Sequence, residues 1–143
     1  MGASVTAYWP GITEEQLYAQ PNFYNDCKAW GNWMAEREEE PSVSVAIKNL
    51  TAEAILTYKT DGMDDEDVSW VTPQQLAEAA AKLRQAVQVG VPETGIILKT
   101  YERHANHVDP IAEEFIHDLD DIIVLAGWAE AEGAEMITLE VNW

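Results

Sequence analysis

Within residues 111–143 the spacing of apolar side chains changes period once, and that change constrains the fold more than any other feature of the chain. Ile111, Phe115, Leu119, Ile122 and Ala126 recur at helical spacing, which places them on one face of a long helix running as far as Gly133. Ile137, Leu139, Val141 and Trp143 then alternate with Thr138, Glu140 and Asn142, the mark of a strand with one buried face. A chain that ends on a helix followed by a strand is neither all-α nor all-β.

Upstream segments extend the same mixture. Val5, Ala7 and Trp9 alternate with Thr6 and Tyr8, so the chain opens on a strand, expected inside the sheet and closed by Pro10 and Gly11. Thr13 and Gln16 have capping-box spacing and predict a brief helix. Phe23, Cys27, Trp30 and Met34 share one helical face down to about Glu39, with Gly31 as its weak point. After Pro41, Val43, Val45 and Ile47 alternate with Ser44, Ala46 and Lys48, and a turn at residues 49–52 leads into 53–60; this predicts a β-hairpin. Thr72, Pro73 and Gln75 signal a helix start, Leu76, Ala80, Leu83 and Val87 its inner stripe, and Gly90 with Pro92 its stop. Residues 96–101 read as a strand, and Asp109 with Pro110 as the cap of the long last helix. The expected fold is α+β: a single compact domain over residues 1–143, with a mostly antiparallel five-stranded sheet and three to four helices packed on it. A crossover through the last helix leaves room for one parallel pair, which makes the sheet mixed.

Composition narrows the function. The chain has 143 residues, and its 47% apolar content supplies a core, which argues against disorder. It carries 26 acidic against 8 basic residues, a formal charge of -18, so its field repels phosphate backbones and anionic membranes. Neither nucleic acid nor a membrane is an expected partner. Residues 1–10 lack the basic start and apolar stretch of a secretion signal, and the expected setting is the cytoplasm. The one cysteine, Cys27, falls on a core-facing stripe and excludes a disulfide scaffold or a multi-thiolate zinc site. No GxSxG, GxxxxGK[ST], GxGxxG or HExxH pattern occurs, so hydrolase, nucleotide-binding and metalloprotease readings lack their anchors.

Three polar groups are candidates for chemistry. Asp61, Asp64, Asp65, Glu66 and Asp67 crowd around Gly62, and hard cations such as calcium favour clustered carboxylates. The donors are contiguous and lack EF-hand spacing, so a solvated acidic turn between a strand and a helix is the simpler reading. On the last helix, Glu113, His117 and Asp121 follow at intervals of four, with Glu114 and Asp120 beside them. That ladder suits a transition metal or a plain charged face, because the Glu-x-x-His spacing occurs once where a di-metal bundle needs it twice. His104 and His107 precede Asp109 and offer a hydrolytic zinc set, although the helix cap alone accounts for Asp109.

An apolar patch rimmed by acids is the fourth candidate. Trp33 and Trp128 fall off the inner stripes of their helices, with Val124 and Leu125 beside Trp128 and Glu113, Asp120 and Asp121 around them. This predicts a docking surface for a basic protein; a homodimer contact or a second core layer fits the same pattern. The leading expectation is a non-enzymatic acidic protein-binding module, inhibitor or immunity-like, that engages a basic partner without a cofactor. The alternative is a divalent-cation protein that binds Ca2+ through residues 61–67, with the acidic face near Asp118, Asp120 and Asp121 as a further set of donors. A metal-dependent enzyme using Glu114, His117, His104 and His107 ranks third, since no motif joins them.

Overall fold

The computed structural model describes residues 4–21, 28–36, 40–50 and 53–142. The sheet is built around the last strand. β1 (Ser4–Tyr8) pairs antiparallel with β3 (Thr138–Asn142), bringing Val5 opposite Val141 and Ala7 opposite Leu139. β2 (Lys59–Thr60) lies parallel on the other side of β3, so the order is β1-β3-β2. Period-two alternation then divides the faces: Val5, Ala7 and Leu139 join the core, while Thr6, Glu140 and Lys59 share the opposite face. β1, expected inside the sheet, is an edge strand. Its open side at Ala7 is closed by the buried Gln20, whose amide accepts from the Ala7 N–H and donates to the Ala7 carbonyl, both at 2.8 Å. A side-chain amide thus takes the place of a neighbouring strand.

The described residues form six helices. α1 (Glu14–Tyr18) and α4 (Pro73–Val89) both begin with the expected capping boxes, Thr13 with Gln16 and Thr72 with Gln75, and α4 stops at Gly90 with φ 80°. α2 (Lys28–Glu36) buries Trp30, Trp33 and Met34. α6 (Ile111–Ala131) lies along α4 and sends Phe115, Leu119, Ile122 and Ala126 into the core, as the helical period predicts. Of these helices, α1, α2 and α6 meet β1. Phe115 joins Trp30, Trp33 and Tyr101 in an aromatic cluster with ring centroids 4.9 to 6.2 Å apart.

The α+β class stands, but the five-stranded sheet with three to four helices does not: the described residues form a three-stranded mixed sheet and six helices. Two of the expected strands are helices. Residues 43–60 are no hairpin; α3 (Pro41–Leu50) is followed by a 3-10 turn, Glu53–Leu56, before β2. Val43, Ala46 and Ile47 are buried at helical spacing, whereas Val45, an inward residue of the strand reading, is 56% exposed. Residues 96–101 belong to α5 (Thr94–Tyr101), which buries Thr94, Ile97, Thr100 and Tyr101. Asp109 is not the cap of α6 either: Pro110 holds that position, with no side-chain bond to the first turn. Phe23, Cys27, Trp143 and the stretch 37–39 lie outside the described residues. Among those described, no helix is long and apolar enough to cross a membrane.

Candidate functional site

The polar face of the sheet carries the acidic loop. Lys59, Glu140 and Thr6 lie side by side across the three strands, and the loop folds over them. Lys59 Nζ donates to the Met63 carbonyl at 3.0 Å and stands 5.4 Å from the centre of the Tyr8 ring. Trp70 Nε1 donates to the Asp65 carbonyl at 3.2 Å while its ring packs 6.1 Å from that of Tyr8. Thr57 anchors the loop's far end, bonding both the Ser69 carbonyl and the Thr138 hydroxyl. Asp65, Glu66 and Asp67 form a 3-10 turn, and all five carboxylates of the loop remain exposed.

Crowded negative charge marks the titration of this face. Burial raises the Glu140 carboxyl, Asp61 and Asp65 raise it further, and Lys59 and Asn142 oppose the shift. The Tyr8 phenol also rises, first through burial, then through the charges of Asp65 and Glu140 and its bond to Asp65. The loop carboxylates take part in no converging trio of metal-ligating side chains among the described residues. Two of its backbone oxygens, those of Met63 and Asp65, are already used by Lys59 and Trp70.

Two concavities meet at Trp70. One, of about 420 Å³, lies under the loop, with Met63, Asp67, Tyr58 and Lys48 in its wall. The other, of about 320 Å³, continues toward α4 and is lined by Gln75, Glu78 and Lys82. Both include Ala54, Trp70 and Val71, so they adjoin along these three residues and Trp70 borders each of them.

A second assembly sits on α6. Donor atoms of His117, Asp118 and Asp121 lie within 4.8 Å of one another, and His117 Nδ1 is 3.6 Å from an Asp121 oxygen. Asp118 is buried and accepts a 2.5 Å hydrogen bond from the Tyr101 hydroxyl, tying α5 to α6. Burial pushes its carboxyl up to about 7; the Tyr101 bond and His117 pull down, while Asp121 and Glu114 push up. Glu114 Oε2 is buried there without a hydrogen-bond partner. Three oxygen and nitrogen donors of this kind suit a transition metal. The sequence pointed to His117, Asp121 and Glu114, and to Asp118 as part of an acidic face, but missed the burial of Asp118 and its Tyr101 partner. The available signal was an acid three residues after Phe115, on the buried stripe of the helix.

The other expected sites are not assembled. His104 Nε2 pairs with Glu36 at 3.0 Å, whereas His107 is exposed with φ 58°, so the two imidazoles serve different surroundings. Of the expected patch, Trp33 and Leu125 are buried, each 1% exposed, and Trp33 Nε1 donates to Thr100 Oγ1 at 2.9 Å. The cause is coverage: α2 meets α5, and α6 has neighbours in α4, α5 and β1, so both helices bury more of their circumference than one stripe. Trp128 is half-buried with its ring 5.6 Å from Trp9, and Asp120 pairs with Arg84 at 2.9 Å. Glu113 and Val124 remain exposed.

Compared with known proteins, the chain matches no family model, no curated protein and no solved structure.

Proposed function

We propose that this chain is a non-enzymatic, cytoplasmic protein-binding module of the inhibitor or immunity kind, which engages a basic protein partner through the acidic loop 61–67. The observation that supports this reading is the pinning of that loop: Lys59, Trp70 and Thr57 hold its backbone while its five carboxylates face solvent. A fixed array of like charges loses little conformational freedom on binding and steers a basic partner over a distance of several ångströms. Glu113, exposed on α6, adds to the same field.

Calcium binding is the second reading, and the same geometry favours it less. The ion takes six to eight oxygens at once, whereas the loop's carboxylates form no converging set among the described residues and two of its carbonyls are already engaged. The His117, Asp118 and Asp121 cluster keeps a metal-dependent role in view, though Asp118 already accepts from Tyr101.

The test uses Asp64→Lys, Glu66→Lys and Asp67→Lys together, which spares Asp65 and its bond to Tyr8. From a host lysate at low salt, the wild-type chain should retain a basic protein that the triple variant loses, and the purified pair should associate at least about tenfold more slowly with the variant. A partner held equally well by both proteins overturns the assignment. Calorimetry with calcium decides the second reading: a dissociation constant of about a micromolar or tighter would place the ion first.

A further inference from the structure

Resting on that reading, we infer that the groove at Trp70 seats arginine side chains of the basic partner, so that the surface selects arginine over lysine. The lining carries the chemistry. Under the loop, the groove combines the half-buried rings of Trp70 and Tyr58 with the exposed carboxylate of Asp67, and beyond Trp70 it adds the exposed Glu78. A guanidinium is planar and weakly hydrated, stacks on an aromatic face and takes a carboxylate with two parallel hydrogen bonds. A lysine ammonium is a compact, strongly hydrated charge and matches only the electrostatic part of such a site. The space is adequate: the two adjoining concavities that Trp70 borders, of about 420 Å³ and about 320 Å³, fall in the range of ligand-sized clefts.

Charge complementarity also decides against an anionic occupant. Asp61, Asp64, Asp65 and Glu66 stand on the same loop as Asp67, so an anion would enter against a concentrated negative field. Two lysines do line the groove, but Lys48 is already engaged within the chain, and the exposed Lys82 shares the second concavity with Glu78, one helical turn before it on α4. Trp70 is held in place for stacking by its bond to the Asp65 carbonyl and its contact with Tyr8.

Two peptides of equal length and charge, nine arginines and nine lysines, provide the test by calorimetry at low salt. The arginine peptide should bind about tenfold more tightly and move the Trp70 indole N–H resonance, while the lysine peptide leaves that resonance in place. Trp70→Leu should reduce the preference to about twofold or less. Asp67→Asn, at an exposed position that leaves the fold alone, should reduce it as well and keeps the test decisive if the Trp70 variant unfolds. Equal affinities for the two peptides, with the Trp70 resonance unmoved, would overturn the inference and leave the acidic-loop reading standing. If neither peptide binds, the acidic-loop reading fails and the inference fails with it.

Discussion

Asp118 is the residue whose surroundings most alter its chemistry. Its carboxyl titrates near 7 in the folded protein against 3.8 for the free side chain, because burial disfavours the charged form more than Tyr101 and His117 favour it. Between those values the native state holds a proton that the unfolded state has released. Stability from this group is therefore fully present below about pH 4, declines by up to about 1.4 kcal/mol per pH unit, and is gone above about pH 7. Asp118→Asn keeps an acceptor for Tyr101 and removes the charge. It should match the wild type in urea melts only below about pH 4, exceed it already at pH 5 and exceed it most at pH 8; a less stable variant at pH 8 would mean the ionised carboxylate is a favourable element of the fold. Gln20 offers a second test at this scale. Truncation to alanine leaves the buried Ala7 N–H and carbonyl without partners and should cost about 2 kcal/mol in denaturant unfolding.

Among the elements, α3 and α5 are where local pattern and final state part. Val43 to Ile47 satisfies both an alternating and a helical template, because Val43, Ala46 and Ile47 also stand at spacings of three and four. Burial separates the two readings, and substitution can check it. Val45→Lys should change stability by no more than about 0.5 kcal/mol, whereas Ala46→Lys, which buries a charge, should cost several kcal/mol. A strand would reverse that order. In α5 the β-branched Ile96, Ile97 and Thr100 suggest a strand, yet the helix brings Thr100 to Trp33 and Tyr101 to Phe115 and Asp118. α4 illustrates the opposite case, since its stop and start signals act through the nearest backbone. Thr72→Ala should lower stability by about 1 kcal/mol, read from the shift of the denaturation midpoint, through loss of the Gln75 N–H bond.

At the scale of the whole molecule, the formal charge of -18 sets the response to salt. Carboxylates spread over the surface repel one another most in the compact state, and added salt shortens the screening length from about 30 Å at 0.01 M to about 3 Å at 1 M. The melting temperature should therefore rise with sodium chloride across that range. A falling one would mean that ion pairs such as Arg84–Asp120 and Arg103–Glu40 outweigh the repulsion. The same screening should weaken the proposed partner complex, so stability and association should respond to salt with opposite sign.

Sequence alone determined the elements whose signals are local. The capping boxes at Thr13 and Thr72, the stop at Gly90, the long stripe of α6 and the alternation of β1 and β3 depend on neighbours a few residues away, and each formed as read. The charge is likewise a property of composition, as was the candidacy of the acidic loop. Tertiary structure decided everything that depends on which surfaces meet. It made α3 and α5 helices, moved β1 to the edge, buried Trp33 and Leu125, and laid residues 61–67 over Lys59. The physical reason is that burial is a pairwise quantity: an apolar side chain gains by leaving water only where another element covers it, and residues far apart in the chain supply that cover.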